Sequence, residues 1–291
     1  MRFFAALAAA FAVASPAVVA KIKVSPLGAP CAAAAGGRWI WVSEYGLPQL
    51  LKIDPHTNKV RSVTHIGSGS CGLAYGAGSM WVEDTNSNTV SRVSVRTGKR
   101  IAAVPVDATP YDTTFAFGSA WTTAHSGFVV DRIDPARNKV VARIKLEAAT
   151  GVVAAFGSIW ATGLTQVVGI DPTTNKIVAT VNIAGGGAWT GASAEAVWIT
   201  TNDNHLLRID PATNQIAATI ALAGVVGDPD TIGGMVWVPI ISKNAIDVVD
   251  PATNTVVQTV KTGKGPFVVS QINGQAWVPS WKGTDIWRIS P

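Results

Sequence analysis

The chain has 291 residues, 14% of them charged, and a formal net charge of +5. Ordinary globular chains carry about 25% charged residues, so this composition excludes a disordered chain, a coiled coil and a highly charged nucleic-acid tail. The basic residues, among them Lys59, Arg61, Arg100, Lys139, Arg143, Lys176 and Lys261, are scattered. No cluster of them is interleaved with aromatics, so the sequence shows no footprint for nucleic acid, and solvated strand faces are the plainer reading.

Residues 1–20 read as a secretory signal. Arg2 gives a positive start, Phe3 to Val13 form an apolar stretch, and Val18 and Ala20 precede the expected cleavage before Lys21. The stretch is too short and too Ala-rich to span a bilayer, and no longer apolar run follows it. The expected mature chain is a single domain, residues 21–291, periplasmic or secreted and without a membrane span.

A repeat fills the rest. Trp41, Trp81, Trp121, Trp160, Trp198, Trp237 and Trp277 are spaced 40, 40, 39, 38, 39 and 40 residues apart. After each comes an Ile-Asp-Pro-like element: Ile53-Asp54-Pro55, Val93-Ser94-Val95, Ile133-Asp134-Pro135, Ile170-Asp171-Pro172, Ile209-Asp210-Pro211, Val249-Asp250-Pro251 and Ile289-Ser290-Pro291. Each unit reads as four short strands. The first is small and apolar, the second carries the Trp, the third ends at Ile-Asp, and the fourth alternates, as in Lys176-Ile177-Val178-Ala179-Thr180-Val181. In the Asp-Pro-x-Thr-Asn turn, Asp bonds the backbone two residues on, Pro fixes φ, and Asn tolerates the left-handed region.

Four strands per unit of about 40 residues, seven times over, predict an all-β fold: a seven-bladed β-propeller of four-stranded blades. The seventh unit stops where its fourth strand should begin. Lys21-Ile22-Lys23-Val24 resembles the fourth strand Arg143-Ile144-Lys145-Leu146, so the N-terminal strand is expected to close the last blade. The periodic tryptophans read as core packing between blades. Trp39, Trp189, Trp281 and Trp287 break the period and are free for local roles.

Cys31 and Cys71 lie 40 residues apart, one repeat, each ten residues before its Trp. Equivalent positions in neighbouring blades come within disulfide reach if the ring radius there is roughly 5 to 8 Å. A disulfide between the first two blades is the expectation; a thiolate nucleophile, a copper pair and two buried free thiols are the alternatives. Gly67-Ser68-Gly69-Ser70-Cys71-Gly72 matches a dinucleotide-binding pattern but opens a strand rather than a helix, and reads as a loop.

The Trp-Val and Trp-x-Thr pairs, the Ile-Asp-Pro-x-Thr-Asn turns and the prolines leading into strand one (Gly28-Ala29-Pro30, Asp107-Ala108-Thr109-Pro110, Gly263-Lys264-Gly265-Pro266) carry a resemblance. They are similar to the YVTN-type seven-bladed propellers, the group containing the YncE family and the virginiamycin B lyases. The resemblance covers nearly all of residues 21–291. It implies a ligand at the mouth of the central channel, on the face made by the loops entering strand one and those between strands two and three. Those loops hold Glu44, Tyr45, Glu83, Asp84, His125 and Trp281, and the entrances to strand one add Tyr111, Trp189, Asp228 and Phe267. These ten are the candidate ligand-binding residues.

The first functional reading is a non-catalytic scaffold without a cofactor, its mouth holding a small molecule, a peptide or an envelope protein. The second follows from the resemblance alone: a lyase that opens a cyclic depsipeptide with a histidine base and Mg²⁺. His125 and His205 are then the candidate bases, and Glu44 and Glu83 the candidate metal ligands, although two ordinary exposed carboxylates are the plainer reading of that pair. Neither histidine stands at an entrance to strand one, where such a base is expected.

Overall fold

The computed structural model describes residues 15–291. Seven antiparallel four-stranded sheets form the blades of a ring. Blades 1 to 6 cover residues 30–65, 70–105, 110–145, 152–182, 187–221 and 230–261. Blade 7 takes three strands from residues 270–290 and its fourth from Ala17–Lys23. Within each of the first six blades the strands follow chain order from the channel outwards. In the seventh, the N-terminal strand supplies the outer edge and pairs Ile22 with Ile286. The chain therefore closes on itself, and no blade at the junction is left with an unpaired strand.

That N-terminal strand crosses the expected cleavage point. Its buried side chain is Ile22, at 3% exposure, while Val18 and Val19 on the other side of that point are 47% and 49% exposed. The apolar stretch from Phe3 to Val13 lies outside the described residues. Among the described residues no helix is long and apolar enough to cross a membrane.

The seven periodic tryptophans are all buried, none above 3% exposure. Each packs its indole across a seam against the next blade. Trp41 meets Met80 and Val82, Trp81 meets Ala120 and Ile133, and Trp277 meets Ile40 and Val42. The turns between third and fourth strands have the anticipated chemistry. Asp54, Asp134, Asp171, Asp210 and Asp250 each accept from the backbone N–H two residues on. Asn58, Asn138, Asn175, Asn214 and Asn254 all take left-handed φ, between 52° and 59°.

These turns also do something that local turn chemistry does not predict. Opposite the blade Trp, on the third strand, stand Arg92, Arg132, Arg208 and Arg288. Each guanidinium lies over its own blade's indole and reaches into the next blade's turn. Arg132 sits 4.9 Å from the Trp121 ring and donates to Pro172 O (2.6 Å) and Asn175 Oδ1 (2.8 Å). Arg92, Arg208 and Arg288 make the same pair of bonds to Pro135 and Asn138, Pro251 and Asn254, and Pro55 and Asn58. The repeated Pro and Asn are thus both turn formers and receptors for an interblade arginine clamp.

Candidate functional site

The seven inner strands converge on a channel whose mouth is lined by aromatic side chains. Tyr45 and Trp281 project from loops between second and third strands. Tyr111, Trp189 and Phe267 stand where the chain enters its inner strands. They form one unbroken series: Tyr45 to Trp281 at 5.9 Å between ring centroids, Trp281 to Phe267 at 5.4 Å, Phe267 to Trp189 at 4.9 Å and Trp189 to Tyr111 at 6.0 Å. Together with Cys31, Cys71, Glu83 and Thr85 they enclose a cavity of about 310 Å³. Four blades contribute the aromatics, and the scaffold positions nevertheless repeat, so the mouth is where this ring departs from its own symmetry.

Cys31 and Cys71 are disulfide-bonded, with Cα atoms 5.1 Å apart. They join the inner strands of blades 1 and 2 at the edge of the cavity. The remaining polar edge is Thr85 and Glu83, and Glu83 is fully buried. Its role follows from a device that blades 1, 3 and 5 share. Two residues after the blade Trp, a hydroxyl accepts from its own inner strand and donates to the next. Ser43 accepts from Ala32 N and donates to Cys71 O. Thr123 accepts from Asp112 N and donates to Thr150 O, and Thr200 accepts from Trp189 N and donates to Gly227 O.

Glu83 occupies that place in blade 2. Its Oε1 accepts from Cys71 N (2.7 Å) and Gly72 N (2.8 Å). Its Oε2 lies 2.9 Å from Thr85 Oγ1, which lies 2.8 Å from Pro110 O of blade 3. The Thr85 hydroxyl has one proton, and the Pro110 carbonyl only accepts. A protonated Glu83 donating to Thr85 satisfies every group and reproduces the accept-and-donate link of blades 1, 3 and 5. Burial pushes the Glu83 carboxyl well above the usual range, and the Asp84 charge adds to this against its hydrogen bonds. Burial likewise raises the Tyr111 hydroxyl, reinforced by Tyr45 and Glu83.

Six of the ten anticipated residues thus line one cavity: Tyr45, Glu83, Tyr111, Trp189, Phe267 and Trp281. His125 stands beside it, 5.0 Å from the Tyr111 ring, in a smaller hollow shared with Thr150, Trp189 and Asn202. Asp84 is buried scaffold, bonded by Ser70, Thr89 and Ser91. Asp228 is set among the inner strands, where its backbone N–H pairs with Phe267 O and its Oδ1 has no partner among the described residues. Burial, and the charges of Asp112 and Asp230, push its carboxyl up.

Glu44 and Glu83 are not exposed carboxylates; both are at 0% exposure. Burial raises Glu44 too, against the amide of Gln49 that donates to its Oε2. The pair does not fit a Mg²⁺ site. Both Glu83 oxygens are engaged by protein partners, and among the described residues no three His, Cys, Asp or Glu side chains converge on a metal-holding position. His205 Nδ1 lies 3.1 Å from Asp203 Oδ1, and the residue does not line the aromatic cavity. Thr85 and the bridging hydroxyls were not anticipated from the sequence, although Ser43, Thr123, Thr162 and Thr200 each stand two residues after a blade Trp.

No protein-family model matches the sequence, and no curated protein sequence matches it. Solved structures do match in fold. Hydrazine synthase of Kuenenia stuttgartiensis has a TM-score of 0.80 at 16% identity, over 93% of this chain and 97% of that one. A streptogramin B lyase has a TM-score of 0.81 at 14% identity, over 93% and 96%. The WD40 β-propeller domain of Doa1 has a TM-score of 0.80 at 10% identity, over 96% and 98%. Likeness at such low identity, across names so different, shows the shared propeller fold alone.

Proposed function

We propose that this chain is an exported binding propeller that takes a compact ligand with a flat apolar face into its aromatic mouth. The observation that carries this reading is the continuous series from Tyr45 through Trp281, Phe267 and Trp189 to Tyr111 around a cavity of about 310 Å³. Aromatic walls offer large, rigid contact area at little entropic cost, and a few polar groups at the edge orient what enters. The ligand is a ring-bearing small molecule or an aromatic side chain of a peptide. The N-terminal segment and the buried disulfide both fit export to the periplasm or beyond.

What supports binding is that, among the described residues, the polar groups at the cavity edge are tied into the scaffold. The Glu83 carboxyl is consumed in an interblade link, and His125 stands outside the cavity. Saturation-transfer NMR against mono- and bicyclic aromatic compounds, from phenol to indole and quinoline, tests the reading. Hits that vanish in the Trp189→Ala/Phe267→Ala variant are expected. Equal signals from both proteins would overturn it. So would ring opening of a cyclic streptogramin B by the purified protein with Mg²⁺, abolished by EDTA, which would restore the lyase reading.

A further inference from the structure

Blade 1 lacks the arginine clamp, and the three positions that make it are all changed. In blades 2, 3 and 7 the residue two before the Trp (Ser79, Ser119, Gln275) accepts from the clamp arginine's Nε. In blade 1 that residue is Trp39. The position opposite Trp41 is Lys52 rather than Arg. The receiving turn in blade 2 has Gly98, at φ 70°, where other turns carry the acceptor Asn.

The result is a cleft lined by three cationic side chains and one carboxylate, Asp54, which is taken up by Arg61 and leaves Arg38 and Lys52 without a counter-charge. Lys52 Nζ lies 4.4 Å from the Trp39 ring centroid, and Arg38 Cζ lies 4.6 Å from the same ring. Neither side chain has a hydrogen-bond or ion-pair partner among the described residues. Arg61 adjoins them, paired with Asp54 at 2.7 Å. With His56 these residues line a cavity of about 620 Å³ on the face opposite the mouth. Burial lowers the Lys52 ammonium, and the Arg38 charge lowers it further. Arg38, Lys52 and Arg61, well separated in sequence, are gathered here beside an indole.

We propose that this cleft is a binding site for a tetrahedral oxyanion, a phosphate or sulfate group, held between Arg38 and Lys52 beside Trp39. An anion there supplies acceptors to Arg38 and Lys52, which have none among the described residues, where Gly98 replaces the Asn that serves the clamped blades. It also relieves the repulsion between two cations brought against one ring. The open cleft leaves room for the rest of a phosphorylated or sulfated small molecule. The site is independent of the aromatic mouth.

The test is a titration with inorganic phosphate, and separately with sulfate and acetate, at constant ionic strength held with sodium chloride. The readout is the ¹⁵N–¹H signal of the Trp39 indole, assigned by its loss in Trp39→Phe. A saturable shift is expected with phosphate or sulfate, with a Kd of about 1 mM or below, weakened at least about tenfold in Lys52→Met and in Arg38→Ser. Lys52→Met keeps the stem that packs on the indole, and an unchanged melting profile confirms its fold. A shift that tracks chloride without saturating, or that survives both variants, would overturn the site. Saturation by acetate as tightly as by phosphate would overturn the tetrahedral assignment.

Discussion

The seams between blades fall into two kinds, and the contrast between them organises the molecule. Seams 2–3, 3–4, 5–6 and 7–1 carry the arginine clamp. Seams 1–2, 4–5 and 6–7 do not, because the residue opposite the blade Trp is Lys52, Gly169 or Val248. Each unclamped seam is closed nearer the channel by something particular to it. Seam 1–2 has the disulfide, seam 4–5 the paired hydroxyls of Thr162 and Thr190, and seam 6–7 backbone bonds between inner strands at Asp228 and Phe267. Two unclamped seams also leave an indole Nε1 without a partner, at Trp160 and Trp237. The lesson is that the ring needs one firm link per seam but not the same one. The candidate sites gather where the common link is missing: the disulfide edge of the mouth, and the cationic cleft of blade 1.

The largest expected effect comes from breaking the link peculiar to seam 1–2. Cys31→Ser/Cys71→Ser, or reduction of the native protein, should lower unfolding free energy by about 2–4 kcal/mol in urea titrations. Unchanged stability would mean that hydrophobic contact at Trp41 and Met80 suffices there. Ile22→Ala should cost about 2–4 kcal/mol, since Ile22 is buried in the seam that the N-terminal strand closes. A chain beginning at Lys21 should match one beginning at Ser15 in thermal melts, because the residues removed from that strand are mostly exposed.

Replacing one clamp sharpens the contrast. Arg132→Met should cost about 2 kcal/mol, from two charge-assisted bonds to Pro172 and Asn175 and the stacking on Trp121. Lys52→Met, at the equivalent position of an unclamped blade, should cost less than about 0.5 kcal/mol. Equal losses would erase the distinction between the two kinds of seam.

Acidity sets a smaller effect. Burial raises Glu83, Asp84, Asp112, Asp228 and Asp230, with Asp112 pushed up to about 6. For a carboxyl raised in the folded state, the stabilising contribution is full below its unfolded pKa near 4. It is lost as pH rises through the folded value. Stability should therefore fall between about pH 4 and 7, as measured by melting temperature against pH. Glu83→Gln, whose amide mimics the protonated acid, should flatten part of that fall and cost little at acidic pH. A steeper fall in Glu83→Gln would contradict the protonated link to Thr85.

The architecture was legible in the sequence because seven copies of one unit state the same thing seven times. Trp spacing gave the blades, and the Asp-Pro-x-Thr-Asn turns gave their outer corners. The clamp was hidden because its partners lie one blade apart. Arg132 and Asn175 are 43 residues from each other, and neither looks unusual in its own repeat. The mouth was half legible. Tyr45, Tyr111, Trp189, Phe267 and Trp281 stood out as departures from the repeat, and the ring brings them together. Glu44, Glu83 and Asp84 were misjudged as loop carboxylates because the sequence carries no sign of how deeply the ends of the second strands are buried. Arg38, Lys52 and Arg61 looked unrelated because strand pairing, not sequence proximity, gathers them.

The most direct test of the account is the affinity of the best aromatic hit for three proteins: wild type, Trp189→Ala at the mouth, and Trp39→Phe on the opposite face, each measured by calorimetry. At least about a tenfold loss is expected for Trp189→Ala, or roughly 1.4 kcal/mol, and no change for Trp39→Phe. Equal affinity in all three, or a loss confined to Trp39→Phe, would contradict the aromatic mouth as the binding site.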